Sequence, residues 1–296
     1  MQIPEGWARR AEPSGTFGPW VDSLPRLARD VAEEWELTLD GMQANGECAV
    51  VLMVRTAAGT PAALKLGWPH EEADHEHLAL QHWHGRGAVR LLRADPGRSV
   101  MLLERLATTD LTDAWDVEAC EVVAGLYGQL HVPAPPQLRS LSSYVARWTD
   151  RLAALPNDAP VPHRLVEQAV ALGRDLVADP MCDGTMIHTD LHYTNVLAGG
   201  REPWLAIDPK PLSGDPHYEL APMLWNRWDE LGDDRRGGVR RRFETLVDAA
   251  GLDEDRARDW VVVRMMCNAL WEIERQACPD RAALTLCVTL AKAVQG

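Results

Sequence analysis

Residues 186–208 read MIHTDLHYTNVLAGGREPWLAID. No other segment holds so many chemically capable side chains: His188, Asp190, His192 and Asn195, then a second carboxylate at Asp208. Met186-Ile187 reads as the end of a buried strand, and 188–194 as a polar loop. Residues 196–198 and 204–207 read as two short strands joined across Gly199-Gly200 and closed near Pro203, a hairpin signal. A polar loop feeding a hairpin predicts that Asp190, Asn195 and Asp208 come near one another.

The chain around this stretch has 296 residues, 46% of them hydrophobic, enough for one large domain or for two lobes with a cleft. No apolar run reaches bilayer length, and the opening MQIPEGWARR lacks an apolar signal core. The six cysteines are scattered, with no C-x-x-C pair. A reduced cytoplasmic protein without structural zinc is expected. The formal net charge of −14 argues against a nucleic-acid or anionic-membrane partner. It is compatible with a cationic ligand and also serves solubility. Twelve tryptophans against two phenylalanines offer flat surfaces for a core or for a ligand.

Residues 1–25, rich in Pro, Gly and Trp, read as an irregular arm, with a helix over 24–35. Strand-like runs follow at 36–39, 48–55 and 62–66, punctuated by Asp40-Gly41, Asn45-Gly46 and Gly59-Thr60-Pro61. Lys65 sits in the third run between Leu64 and Leu66, where a lysine needs a partner or a task. A helix is expected over 69–85. On helical spacing Glu76 shares the face of Ala73, Ala79 and Leu80, which makes it the first candidate to pair with Lys65 and Glu72 the second. Two more strands, 89–92 and 100–103, complete a small sheet lobe. Beyond Glu104-Arg105-Leu106 the pattern turns helical: 117–131, 141–155 and 162–178 before the central loop, then 218–231, 236–250, 253–277 and 280–294 after it. The expected architecture is α+β, with an antiparallel-sheet lobe over 1–105 and a mainly helical lobe over 106–296.

Asp190 and Asn195 stand five positions apart in H-T-D-L-H-Y-T-N, the spacing of the kinase catalytic loop. The chemistry explains the pattern. A carboxylate takes the proton of an attacking hydroxyl, and an amide oxygen one loop-turn later binds a magnesium that bridges phosphates. A second carboxylate after an apolar strand, here Asp208, binds the metal from the other side. A strand lysine holds the α- and β-phosphates and a helical glutamate orients it, roles that suit Lys65 and Glu76. A rival reading takes His188, Asp190 and His192 as the H-x-D-x-H of a binuclear metal hydrolase, with Asp215 and His217 as further ligands. It leaves Lys65, Glu76 and Asn195 without purpose. A catalytically silent nucleotide-binding protein is a second rival, but none of the catalytic residue types is missing.

The runs AALKL (62–66), GAVRLL (87–92), MLLERL (101–106), HTDLHYTNVL (188–197) and EPWLAIDPKPLSGDPHYELAP (202–222) resemble the aminoglycoside phosphotransferase and protein-kinase-like superfamily. Within it they are most similar to the streptomycin 6-kinase and hydroxyurea phosphotransferase family. The resemblance implies a bilobal kinase-like fold, ATP or GTP as phosphoryl donor, Mg2+, and a cationic small-molecule acceptor such as a streptomycin-like aminocyclitol. An amino sugar, another small metabolite or hydroxyurea is the alternative acceptor. It further implies that Ala63 lines the adenine pocket, that the backbone of Glu104, Arg105 and Leu106 forms the adenine-binding hinge, and that Leu197 packs beneath the ring. His188 would support the loop, and Asp215 and Glu219 would brace it from the next helix. The departures are a missing G-x-G-x-x-G, with only Gly41 and Asn45-Gly46-Glu47 between the first strands, and D-P-K in place of D-F-G. With no A-P-E either, a small-molecule kinase is expected rather than a protein kinase. For the acceptor, Trp225, Trp271, Glu272 and Glu274 in the C-terminal helices are the candidate aromatic walls and carboxylates.

Overall fold

The near-continuous apolar runs 50–54 and 62–66 call for strands, and along the first the burial alternates, with Val50, Leu52 and Val54 buried. A computed structural model describes residues 2–4, 7, 15–275 and 278–296, and in it these runs form a sheet. After helix α1 (Phe17–Glu34) come β1 (Thr38–Asn45), β2 (Ala49–Arg55), β3 (Pro61–Gly67), α2 (Glu76–Trp83), β4 (Leu91–Asp95) and β5 (Val100–Glu104). The strands pair antiparallel in the order β1-β2-β3-β5-β4. Val50, Leu52, Val54, Ala62, Leu64, Leu66, Val100 and Leu102 share one core with α1. Lys65 pairs in register with Val51 and Met101, and Ala63 with Met53 and Leu103. Lys65 and Ala63 therefore lie on the face opposite α1.

Four expectations for this region need correction; the strand expected over 89–92 lies instead at Leu91–Asp95. The helix begins at Phe17, not 24, and runs through Pro25. Phe17, Trp20, Val21, Leu24, Ala28 and Val31 recur at helical spacing and are all buried. Burying two such side chains, at about 1.5–3 kcal/mol each, offsets the roughly 3 kcal/mol cost of an interior proline. The rest of the expected irregular arm falls partly on residues 1, 5, 6 and 8–14, outside the described residues. Strand β1 does not stop at Asp40-Gly41. The pair makes an irregularity in the β1–β2 register, with Gly41 at φ 139°, and the strand continues to Asn45. The expected helix over 69–85 starts only at Glu76. Ala73 N–H bonds the His70 carbonyl and Glu76 N–H the Ala73 carbonyl, so turns precede it. Ala73 is not on a helical face, and Glu76 is a first-turn residue.

The described chain divides into two compact units, Met1–Ala107 and Thr108–Gly296. The second contains α3 (Asp116–Leu130), β6 (Val132–Pro133), α4 (Leu141–Ala153), α5 (His163–Ala178), β7 (Thr185–Ile187), β8 (Val196–Ala198), β9 (Trp204–Ala206) and β10 (Leu212–Gly214). It ends with α6 (Ala221–Trp225), α7 (Arg235–Ala250), α8 (Glu254–Arg275) and α9 (Arg281–Ala293). Strands β8 and β9 form the hairpin, and β10-β7-β6 a small antiparallel sheet. Gly214 lets β10 approach β7: a Cβ there would collide with Ile187 Cδ1. The helix expected over 218–231 is broken. A 3-10 turn, Pro216–Leu220, leads into α6, which ends where Asn226 returns both its N–H and its side-chain amide to the Pro222 carbonyl. Arg227 then turns left-handed, at φ 53°. Helix α8 is described as far as Arg275, and residues 276 and 277 of its expected span lie outside the described residues. No helix among the described residues is long and apolar enough to cross a membrane.

Candidate active site

In the first unit, Lys65 Nζ donates to both carboxylate oxygens of Glu76, at 2.6 and 2.7 Å. Both residues are buried. The strand presents the lysine away from α1, and the turns before α2 bring the glutamate to it. Ala63, two positions earlier on the same face, is buried as well. Glu104 closes β5 and its carboxylate accepts the Arg90 N–H at 2.8 Å. Leu106 is half-buried. The Arg105 side chain is occupied within its own unit. Its guanidinium bonds Asp40 Oδ2 at 2.7 Å, the Ala62 carbonyl at 3.3 Å and the Val54 carbonyl. The Arg105 hydrogen bond is the main influence holding the Asp40 carboxyl below its ordinary pKa.

In the second unit the loop after β7 is built around buried His188. Its Nε2 donates to the Ile207 carbonyl at 2.9 Å, and its Nδ1 accepts the Asp190 N–H at 3.3 Å. Those bonds select the neutral Nε2–H tautomer, and burial pushes the ring's pKa down. Lys210 N–H returns to the His188 carbonyl at 3.0 Å, and Ile207 N–H to the Asn195 carbonyl at 2.9 Å. These bonds tie the segment carrying Asp190 and Asn195 to the segment carrying Asp208. Asn195 Nδ2 donates to the Asp190 carbonyl at 2.8 Å, which leaves its Oδ1 as the available ligand atom. Asp208 is exposed and Asp190 half-buried.

Thr189 (φ 61°) and Asp208 (φ 57°) are left-handed non-glycine residues on either side of this arrangement. Such backbone costs about 1–3 kcal/mol per residue, so neighbouring bonds must hold it. Glu219, fully buried, accepts the Thr189 N–H on Oε1 and contacts His131 Nε2 at 2.9 Å on Oε2. Burial pushes the Glu219 carboxyl up, but the His131 hydrogen bond and neighbouring positive charge outweigh it, and the pKa ends lowered. Arg264 donates to the carbonyls of Tyr218 and Thr189, and Thr189 Oγ1 donates to the Lys210 carbonyl at 2.6 Å.

The two acids expected to brace the loop part company. Glu219 touches it, whereas Asp215 faces α8. Asp215 accepts Arg256 Nε at 2.5 Å, Trp260 Nε1 at 2.7 Å and His217 Nδ1 at 2.6 Å.

The hydrolase reading fails on its ligands. Both nitrogens of His188 are spent inside the fold. Those of His217 meet Asp215 and the Asp253 N–H. His192 Nε2 faces Asn195 Nδ2 at 3.2 Å, so it accepts there, and burial keeps the ring neutral by lowering its pKa. Its 3.9 Å separation from Asp190 is therefore not a charged contact. Among the described residues no three His, Cys, Asp or Glu are grouped to hold a metal.

The proposed acceptor residues scatter. Glu272 is buried, accepting the Asp280 N–H and Arg275 at 3.0 Å each, and cannot face a ligand. Glu274 pairs with Arg151, and the half-exposed Trp271 carries Arg275 over its ring. Only Trp225 relates to the loop: Arg264, which bonds Thr189, lies 5.0 Å over its ring. Leu197, half-buried on β8, pairs with Leu205 and bridges to Asp110.

Three residues went unassigned in the sequence reading. Lys210 stands between two prolines directly after Asp208, a visible signal. Its Nζ lies 3.1 Å from Asp190 Oδ2. Arg264 interrupts the apolar run 260–267, the same signal that marks Lys65. His131, at the end of α3, has no local signal.

A model of the family described as aminoglycoside/hydroxyurea antibiotic resistance kinase matches residues 34–275. Over its full length the chain is 43% identical to a streptomycin 6-kinase of Streptomyces glaucescens, covering 98% of that protein. It is 41% identical to a hydroxyurea phosphotransferase of Kitasatospora aureofaciens, over 93% of this chain and 81% of that one. Among solved structures, aminoglycoside phosphotransferase APH(4)-Ia in ternary complex with ADP and hygromycin B matches with a TM-score of 0.60 at 16% identity, over 90% of this chain and 98% of that one. A choline kinase of Streptococcus pneumoniae matches with a TM-score of 0.63 at 13% identity, over 93% and 99%. The fold is thus the protein-kinase-like one these proteins share.

Proposed function

Because the chain belongs to the aminoglycoside/hydroxyurea antibiotic resistance kinase family, we propose that it transfers the γ-phosphoryl group of ATP to a hydroxyl of streptomycin or a closely similar aminocyclitol. Its class is phosphotransferase with an alcohol acceptor. The observation that carries the reading is the loop in which Asp190, Asn195 and Asp208 are tied together by the His188, Ile207 and Lys210 bonds.

The acceptor oxygen attacks the γ-phosphorus. The new O–P bond forms as the bond to the β,γ-bridging oxygen breaks, the hydroxyl proton passes to Asp190, and ADP leaves. Lys65, fixed by Glu76, holds the α- and β-phosphates. Asn195 Oδ1 and the Asp208 carboxylate are hard oxygen donors of the kind magnesium takes. Magnesium there would neutralise charge on the phosphates. Ala63, the backbone of 104–106 and Leu197 bind the adenine. Trp225 is the wall we retain for the acceptor.

A relative that phosphorylates hydroxyurea is almost as similar, so the acceptor needs a direct test. Purified protein with ATP or GTP and Mg2+ is offered streptomycin, a second aminoglycoside, hydroxyurea and an amino sugar, with products identified by mass. A streptomycin phosphate is expected. Transfer to hydroxyurea alone, or to the sugar alone, would overturn the choice of acceptor.

A further inference from the structure

Lys210 lies between Pro209 and Pro211, whose rings restrict its backbone. Its N–H bonds the His188 carbonyl at 3.0 Å, and its own carbonyl accepts Thr189 Oγ1 at 2.6 Å. The lysine is thus anchored on the two residues immediately before Asp190, and its Nζ lies 3.1 Å from Asp190 Oδ2. Among the described residues, the group found against the other oxygen, Oδ1, is His192, at 3.9 Å, too far for a hydrogen bond. The two oxygens of one carboxylate are therefore unequal: one is held by a cation and the other is open.

We propose that Lys210 is a positioning residue, which by engaging Oδ2 turns Oδ1 of Asp190 toward the acceptor hydroxyl. An ammonium beside a carboxylate weakens it as a base. In phosphoryl transfer this costs little, because the transition state is loose and catalysis rests mainly on placing the nucleophile in line. The hydroxyl proton passes to Oδ1 as the oxygen–phosphorus bond forms, and Lys210 keeps Oδ2 throughout. This rests on the kinase reading above, with Asp190 as the group that meets the hydroxyl.

The test compares wild type, Lys210→Met, Lys210→Arg, Asp190→Asn and the Lys210→Met/Asp190→Asn double variant in steady-state transfer to streptomycin and in thermal melting. Lys210→Met should lower kcat by up to about 100-fold, with KM for ATP and acceptor within about two-fold and the melting temperature unchanged. Lys210→Arg should recover much of the loss. In the Asp190→Asn background, removing the lysine should cost nothing further, because it acts through that carboxylate. An equal additional loss in the double variant would overturn the proposal, as would a large rise in KM for ATP, which would make Lys210 a nucleotide contact. A melting decrease that accounts for the activity loss would also overturn it, as a structural role. Absence of transfer by the wild type would overturn the kinase reading and this proposal together. Normal wild-type transfer with an unaffected Lys210→Met would overturn this proposal alone.

Discussion

The two units each contain a lysine–carboxylate pair, and the pairs differ in everything except charge. The Lys65 and Glu76 side chains are 9% and 5% exposed and bond through both carboxylate oxygens. The Lys210 and Asp190 side chains are 37% and 18% exposed and meet at a single 3.1 Å contact. Water cannot replace a partner lost from the first pair, so its integrity is a condition of the fold. The second pair resembles a surface ion pair, which contributes about 0–1 kcal/mol. A carboxylate engaged through one oxygen leaves the other for a substrate hydroxyl to approach. The first unit offers a fixed cation and the second an addressable anion.

The largest expected effect falls on that anion. Asp190→Ala should reduce turnover by about 10²- to 10⁴-fold while leaving ATP affinity, measured by calorimetry, and the melting temperature nearly unchanged. A fall in melting temperature as large as that caused by losing Lys65 would break the contrast between the pairs.

Lys65→Ala should act on both properties. It leaves the Glu76 carboxylate buried without its lysine, at a cost of about 3–5 kcal/mol, readable by urea titration, and it lowers turnover as well. Replacing both members, Lys65→Met with Glu76→Leu, should recover most of the stability and none of the turnover. Full stability in the single variant would show that burial does not distinguish the pairs.

What the sequence revealed follows the range of the interactions involved. The β8–β9 hairpin was legible because Gly199-Gly200 and the flanking apolar triplets are local signals. Lys65 stood out because a charge inside an apolar strand contradicts its neighbours. The start of α1 was hidden because Pro25 argues against a helix locally, and only packing of Phe17 and Trp20 on the sheet overrules it. The break after Trp225 depends on Asn226 folding back on Pro222, which periodicity does not register. Glu272 looked like a surface acid available to a ligand. It is buried, and its carboxylate accepts the N–H of Asp280, the residue that caps α9, eight positions away. The Glu219–Thr189 bond joins residues thirty positions apart, and only the folded chain brings them together.

Acid offers the mildest test of the same contrast. Glu219 has a folded pKa below its ordinary 4.5. A carboxyl depressed on folding contributes stability that is complete above the unfolded value and is lost as pH falls through the folded one. Glu219→Gln keeps an acceptor for the Thr189 N–H but removes the charge facing His131. It should melt lower than wild type at neutral pH, and the gap should close as pH drops below about 4.5. A gap of equal size at acid and neutral pH would mean that shape rather than charge holds the loop. In the first unit Glu34, Asp40 and Asp95 are also lowered, by Arg98, Arg105 and Arg98 respectively, but Glu34 is exposed and Asp40 and Asp95 are only half-buried. Salt screens exposed pairs and spares buried ones. High salt should therefore weaken whatever these three contribute and leave the Glu219→Gln gap at neutral pH in place, because that charge is sealed inside the second unit with the loop it holds.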